Sequence, residues 1–285
     1  MTRSEFRLLD PLRVRWAEVD MQKIVFNGHY LMYADTAVAA YWRALAMPYH
    51  ETMASLGGDL YVRKATVEYL GSARYDDQLD VGVRMQRIGT SSIVFLFAVF
   101  RGERALVTGE LVYVYADPHT QTSRPVPQVL RDWLQAFEAG EPMVRVDTGD
   151  WATLKDLAQA LREQVFVHEQ GIAPELEWDE ADATALHAVA FNRAGLPLGT
   201  GRLLPHAPGV GRIGRMAVRA DMRGSGVGSD VLRALTDAAR AQGLREIVLH
   251  AQLTAAGFYR RAGFHPRGPV FDEVGIPHQE MVRDL

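Results

Sequence analysis

The chain has 285 residues, a formal net charge of −4 and no cysteine. It is long enough for two ordinary domains, and its 48% hydrophobic and 23% charged residues are typical of globular proteins. The acidic balance argues against nucleic acid as the main partner, and the lack of cysteine excludes disulfides, a cysteine nucleophile and thiolate metal sites. Because we find no signal-like segment and no run of 18 apolar residues, we expect a cytoplasmic protein without membrane contact.

The first half of the chain predicts one long helix among strands. A short strand is expected at 12–16, and apolar residues at helical spacing predict a helix over 28–46. Four strand-like runs follow, at 60–69, 78–88, 91–100 and 105–115, the last two joined by a hairpin. One helix followed by successive antiparallel strands suggests a sheet curled around that helix.

The second half has a different order of elements. Two prolines, a short helix through Trp133 and Phe137, and the run EAGEPM predict a linker and a domain boundary near residue 140. Beyond it, helices and strands alternate as a mixed α/β layer: a helix at 150–167, strands at 187–193, 198–204 and 211–219, a helix at 226–242, a strand at 246–250 and a helix at 254–262. The predicted fold class is therefore an α+β protein of two unlike domains.

The run MAVRADMRGSGVGSD (216–230) predicts a strand, a sharp turn and a helix opened by glycines. Arg223, Gly226 and Gly228 follow the order R-x-x-G-x-G, which suits a backbone cradle for a pyrophosphate at a helix N-terminus. A P-loop is excluded because its lysine is missing, and a Rossmann motif because Ser229 stands where its third glycine would be. From the turn alone, a glycine-rich turn without a ligand is equally possible.

This segment resembles motif A of the GNAT acyltransferases. The runs LREQVFVHEQGI (161–172), AQLTAAGFYRRAGF (251–264) and GIPHQEM (275–281) resemble the branch that includes ElaA-like and YjcF-like proteins. The resemblance implies that acetyl-CoA is the acyl donor, with Tyr259 beside its sulfur as a possible acid for the leaving thiolate. It also implies the following cofactor-binding residues: Met216 and Val218 at the pantetheine arm, Arg223 at the phosphates, and Gly224, Ser225, Gly226, Val227, Gly228 and Ser229 in the pyrophosphate turn.

The run WAEVDMQKIVFNGHYLMYAD (16–35) resembles the active-site segment of hotdog-fold acyl-CoA thioesterases of the hydroxybenzoyl-CoA thioesterase and YbgC-like group. VEYLGSARYDDQLDV (67–81) resembles the second strand and turn of that group. The resemblance implies that Asp20 activates water or attacks the thioester, and that the helix N-terminus around Asn27 and His29 binds its oxygen. It also implies a site shared by two protomers. Asn27 departs from the histidine that many members have there.

The sequence leaves two interpretations open for several residues. Asp20 is by its type also a turn or capping residue, and His29 a polar residue of a first helical turn. Glu169 and Gln170 either line the acceptor side or cap the end of the first helix of this half. His278 and Glu280 either line the acceptor pocket or are solvated, and His187 is expected to be structural. The acidic segment APELEWDEADA (173–183) either attracts a cationic amine or is simply solvated. No metal-binding motif is visible.

The sequence thus predicts a bifunctional enzyme of CoA thioesters. Residues 1–140 would form a hotdog domain that hydrolyses acyl-CoA, and residues 141–285 a GNAT domain that transfers an acyl group, acetyl in the first instance, from CoA to an amine. We expect a homo-oligomer, at least a dimer through the hotdog domain. Two alternatives stay open: the hotdog domain is a non-catalytic acyl-CoA-binding or dimerisation module, or it alone is catalytic and the GNAT domain is regulatory.

Overall fold

The structure is a computed structural model that describes residues 1–273 and 275–285, with Leu176 described by its backbone only. The chain divides into two compact units, Met1–Met143 and Val144–Leu285. No helix in the described part of the chain is both long and apolar enough to cross a membrane.

The N-terminal unit is a five-stranded antiparallel sheet in the order β1-β3-β4-β5-β2, with a long helix packed on it. Its elements are β1 (Leu8–Arg13), α1 (His29–Ala44), α2 (Tyr49–Leu56), β2 (Asp59–Tyr69), β3 (Gln78–Ile88), β4 (Ser92–Arg101), β5 (Arg104–Ala116) and α3 (Gln128–Glu138). The helix α1 buries one face, with Tyr33, Ala37 and Tyr41 at helical spacing. This is the predicted sheet with a central helix, and the predicted fold class is confirmed.

Two details of the N-terminal unit differ from the sequence prediction. The first strand is Leu8–Arg13, not 12–16, because its ladder with β3 runs from Leu8 to Arg13 and residues Trp16–Glu18 form a 3₁₀ turn. The helix α2 was not predicted; it follows Pro48 and ends at Gly57, whose φ of +71° is left-handed.

The C-terminal unit is a seven-stranded mixed sheet in the order β11-β12-β10-β9-β8-β7-β6. Its elements are β6 (Val144–Gly149), α4 (Trp151–Arg162), α5 (Pro174–Glu177), β7 (Leu186–Asn192), β8 (Pro197–Ala207), β9 (Val210–Val218), α6 (Val227–Ala241), β10 (Glu246–Gln252), α7 (Ala256–Arg261), β11 (His265–Glu273) and β12 (Ile276–Asp284). The α-helix predicted over 150–167 ends at Arg162 and continues as a π-helical turn, Glu163–Glu169.

The sheet of the C-terminal unit splits between two neighbouring strands, β9 and β10. β9 and β10 run parallel, but their ladder covers only three residue pairs and ends at Arg212 and Val248. On its other side β9 carries a bulge against β8, where Arg215 takes a φ of +52°. The two strands therefore part beyond Val248 and leave a cleft between them.

Candidate active sites

In the N-terminal unit, a folded loop places Asp20. The Asp20 N–H donates to the Ile24 carbonyl (2.9 Å), and the Val25 N–H donates to the Ala73 carbonyl (2.9 Å). The Phe26 N–H donates to the Glu18 carbonyl (2.9 Å), which closes the loop just before α1 begins. Main-chain bonds therefore fix the path of the chain from Glu18 to the start of the helix.

A buried carboxylate holds the base of this loop. Glu18 accepts hydrogen bonds from the Arg15 N–H and from the Tyr33 hydroxyl, both at 2.7 Å. Burial raises the pKa of Glu18, but the hydrogen bonds from Arg15 and Tyr33 outweigh it and leave the pKa below its ordinary value. Sequence analysis missed Glu18, although an arginine three residues before a glutamate was a local signal for such a capped turn.

Asp20 and Asn27 line the same surface groove, of 290 Å³. Tyr30 and Tyr69 line it as well, and the Tyr69 hydroxyl donates to the Asn27 carbonyl (3.1 Å). The Oδ1 atom of Asp20 accepts the Gln22 N–H (2.7 Å), so Asp20 also has the turn role that its residue type allows. The groove is therefore lined by one carboxylate, a group that can act as a base or nucleophile, and one of its oxygens already accepts a hydrogen bond.

The start of α1 supplies the other expected feature of this site. Gly28 is the N-cap, and among the described side chains none caps the helix there. The His29 N–H donates to the Phe26 carbonyl (2.9 Å), whereas the amides that follow it in the first turn of α1 have no partners within the helix and are suited to bind a developing negative charge. His29 is the first residue of α1, and its ring packs edge-on against Phe26 with 6.0 Å between ring centroids.

In the C-terminal unit, the glycine turn has the geometry of an anion cradle. Gly224 and Gly226 take φ values of +81° and +95°, and α6 begins directly after Gly226. A Cβ built on either glycine would meet no atom of the described chain within 4 Å, so open space lies above both. The Ser225 N–H and hydroxyl both bond to the Met222 carbonyl (3.3 and 2.6 Å), whereas Val227, Gly228 and Ser229 form the first turn of the helix.

Arg223 is tied to the π-helical turn. Its guanidinium makes a two-pronged ion pair with Glu169, at 2.6 and 2.7 Å. The hydrogen bonds from Arg223 lower the pKa of Glu169, and both side chains are partly exposed. A phosphate at this turn would therefore compete with the Glu169 carboxylate for Arg223, a competition that sequence reasoning did not foresee.

The cleft between β9 and β10 is a groove of 190 Å³. It is lined by Met216, at the bulge of β9, and by Tyr259 of α7. Tyr259 is buried beside Phe258 and Phe264, and burial raises the pKa of its hydroxyl, which therefore keeps its proton at neutral pH. The polar lining residues of this groove are Gln170, Glu177, Arg212, Arg215, His250, Gln252, Glu273 and His278. Gln170 and His278, for which two interpretations stood open, thus line the groove.

The acidic segment differs from both interpretations of the sequence. Two of its five acids, Glu177 and Asp182, are 2% exposed. Arg162 donates to Glu177 (2.5 Å) and to Asp182 (2.8 Å), and Arg202 also donates to Asp182 (2.6 Å). Arginines from α4 and β8 therefore neutralise Glu177 and Asp182 inside the unit, whereas Glu175, Asp179 and Glu180 are exposed.

Asp182 is the centre of this ion network. Burial raises its pKa, but the hydrogen bonds from Arg162 and Arg202 outweigh burial and hold the pKa below its ordinary value. His187 belongs to the same cluster: Nε2 contacts the Asp182 carbonyl (2.9 Å) and the ring packs on Trp151. Its structural interpretation agrees with this buried position.

Two family models match the chain, one in each half. The model described as "Acetyltransferase (GNAT) domain" matches residues 156–285, and the model described as "Thioesterase-like superfamily" matches residues 14–134. In the residues that the structure describes, no group of three or more His, Asp or Glu side chains is arranged to hold a metal ion.

Individual relatives match one half at a time. The uncharacterized N-acetyltransferase YjcF of Bacillus subtilis is 36% identical over 132 residues, which is 46% of this chain and 92% of YjcF. A putative N-acetyltransferase structure from Lactobacillus plantarum is 33% identical and covers 50% of this chain and 99% of its own, with a TM-score of 0.47. A thioesterase superfamily structure from Jannaschia sp. covers 45% of this chain and 90% of its own, at 21% identity and a TM-score of 0.42.

Each matched region lies within one of the two units of the structure. The glycine turn and the cleft lie inside the region that matches the acetyltransferase model, and the Asp20 groove lies inside the region that matches the thioesterase-like model. Through its C-terminal half the chain belongs to the GNAT acetyltransferases, and it carries a thioesterase-like hotdog domain in its N-terminal half.

Proposed function

We propose that the chain is a bifunctional enzyme of CoA thioesters. Residues 1–140 hydrolyse an acyl-CoA, and residues 141–285 transfer an acetyl group from CoA to an amine. The observation that carries the proposal is that each unit has its own groove with the groups that thioester chemistry needs. We place the enzyme in the cytoplasm, in keeping with a sequence without cysteine.

In the hydrolase half, Asp20 is the base or nucleophile. Hydrolysis of a thioester needs a group that activates water or attacks the carbonyl carbon, and donors for the oxyanion that forms. Asp20 supplies the first, and the uncapped amides at the start of α1, next to Asn27, supply the second. His29, at the same end of α1, assists Asp20.

In the transferase half, the ligand follows the glycine turn and the cleft. The pyrophosphate binds to the amides at the start of α6, from Gly226 to Ser229, and Arg223 turns from Glu169 to the phosphates. The pantetheine arm lies against the main chain of β9 at Met216 and Val218 and enters the cleft. Tyr259, whose hydroxyl keeps its proton, protonates the leaving thiolate.

The hotdog half also joins two protomers. β2 lies at the edge of its sheet, and large apolar side chains on and next to it are exposed, Val62 by 52% and Tyr69 by 51%. An exposed edge strand with apolar side chains favours pairing with a second sheet. A homodimer through this edge would cover these side chains and complete the groove of Asp20, which Tyr69 lines.

The second candidate is a hotdog half that binds acyl-CoA or forms the dimer without turnover. The observation in its favour is the hydrogen bond from the Gln22 N–H to Asp20, which gives this carboxylate a structural role. The first candidate is preferred because Asp20 and the uncapped start of α1 lie at one groove, beside Asn27.

Asp20→Asn in the full-length protein separates the two candidates. We expect hydrolysis of a panel of acyl-CoAs, followed by thiol release, to fall at least ~100-fold, the effect of losing an acid–base group. Asp117→Asn is the matched control, because Asp117 also closes a turn by accepting two amide hydrogens and does not line this groove. Hydrolysis by Asp20→Asn within a few-fold of wild type would remove Asp20 from the mechanism, and a wild type without hydrolysis would favour the second candidate.

A further inference from the structure

His250 lies at the point where the cleft of the C-terminal unit opens. It is the second residue of β10 after Val248, where the parallel ladder with β9 ends. Its side chain lines the same groove as Met216 and Tyr259 and is 26% exposed. The imidazole in this position is therefore open to an acceptor molecule.

Two groups of opposite charge contact the same nitrogen of His250. Arg212 Nη2 lies 3.0 Å from Nδ1, and Glu273 Oε2 lies 3.1 Å from Nδ1. The Arg212 contact requires a lone pair on Nδ1, whereas the Glu273 contact requires a proton there. Only one of them is a hydrogen bond at a time, so the two contacts correspond to the two tautomers of the ring.

The tautomer that Glu273 stabilises leaves the lone pair on Nε2. The Glu280 carboxylate is 3.9 Å from Nε2, so a proton gained there would have a carboxylate on each side of the ring. The ring of His250 also packs against Phe271, at 4.8 Å between centroids, and Phe271 in turn stacks with His278.

We propose that His250 is the general base of the transferase half, taking a proton at Nε2 from the ammonium group of a cationic primary-amine acceptor. Glu273 is the positioning residue that fixes the tautomer with the free lone pair on Nε2. The inference rests on the proposed function, because it assigns a role in acetyl transfer within the same cleft.

The proton balance of the step is complete. His250 removes one proton from the ammonium group, and the amine nitrogen then forms a C–N bond to the thioester carbon. As the C–S bond breaks, Tyr259 donates its proton to the CoA sulfur, and the second proton of the nitrogen passes through solvent to Tyr259 and restores its hydroxyl. The products are an N-acetylated amine and free CoA, and the proton held by His250 passes to solvent.

The test is steady-state acetyl transfer by the full-length protein from pH 6 to 9.5. Acetyl-CoA is the donor, spermidine, tyramine and glucosamine are the probe amines, and thiol release is measured. For His250→Gln we expect kcat to fall ~100-fold, with affinity for CoA by calorimetry unchanged and without the decline of kcat at low pH that we expect of wild type. For Glu273→Gln we expect a lower kcat with unchanged affinity for CoA, because the tautomer with the free lone pair on Nε2 loses its hydrogen-bond partner.

His206→Gln is the control, since His206 is an exposed histidine on β8 of the same unit. It should leave the whole pH profile unchanged. If His250→Gln keeps kcat within three-fold of wild type, or keeps the decline at low pH, the role of His250 is wrong while the transferase assignment stands. If wild type neither binds CoA nor acetylates any of the three amines, the proposed transferase function is overturned, and this inference with it.

Discussion

The two candidate sites are supported in different ways. In the hotdog half, main-chain hydrogen bonds and one buried carboxylate, Glu18, hold the Asp20 loop over an open groove. In the GNAT half, the groove borders a buried network of arginines and carboxylates centred on Asp182. The first site can therefore lose a side chain at little cost in stability, whereas the second depends on charges that must stay paired. This comparison makes separate predictions for folding and for chemistry in each half.

The largest effect is expected from breaking the buried network. Arg162 is 1% exposed, and Arg162→Ala would leave Glu177 and Asp182 short of their partner. Removing one member of a buried ion pair costs about 3–5 kcal/mol, and we expect the lower end of this range because Asp182 keeps Arg202 and Glu177 keeps Arg215. We expect urea unfolding of the C-terminal half to show this loss in the free energy of unfolding. Arg233→Ala, which removes an exposed pair with Asp230, should cost about 0–1 kcal/mol; equal losses in both variants would contradict the comparison.

The next effect concerns the glycine turn and tests ligand binding. In Gly226→Val a β-branched side chain would fill the open space above the turn, where the pyrophosphate must approach the backbone. We expect affinity for CoA, measured by calorimetric titration, to fall ~10-fold or more, about 1.4 kcal/mol.

Gly243→Val is the control for backbone strain, because Gly243 lies at the other end of α6. Gly243 also has a positive φ, +74°, with open space around a built Cβ, and it follows α6 instead of preceding it. Gly243→Val should show comparable strain and full CoA affinity. Equal affinities of the two folded variants would mean that the glycine run is a structural turn only.

The smallest expected effect is on the pH dependence of the free energy of unfolding, and it should be confined to the GNAT half. The folded pKa of Asp182 lies below its ordinary value of 3.8. Its ionisation therefore contributes stability at pH values above 3.8, and this contribution is lost as the pH falls through the lower, folded value. We expect Asp182→Asn to flatten the acid dependence of unfolding of the C-terminal half between pH 5 and pH 2, as followed by urea midpoints. An unchanged slope would show that Asp182 is not a source of acid lability.

Local patterns allowed much of both sites to be predicted. The glycines around Gly226 mark their own turn, because positive φ values and an open helix start are properties of a few adjacent residues. Asp20 and Asn27 were identified from one contiguous run that also forms one contiguous loop. The roles of these residues in chemistry remain predictions.

The missed features depend on residues distant in sequence. Arg162, Asp182 and Arg202 meet only after the sheet has formed, so the acidic segment alone suggested a solvated surface. The contact of His250 with Glu273 likewise joins β10 to β11, which are not adjacent in the sheet. The hairpin of β11 and β12 gave little signal because β11 is mostly exposed and has no alternation of apolar and polar residues.

The central claim is that one chain contains two independent sites for CoA thioesters. The most direct test measures acyl-CoA hydrolysis and amine acetylation side by side in full-length wild type, Asp20→Asn and Gly226→Val. We predict that Asp20→Asn loses hydrolysis and keeps acetylation, and that Gly226→Val at subsaturating acetyl-CoA loses acetylation and keeps hydrolysis. A wild type that lacks either activity, or a folded variant that loses both together, would contradict the claim.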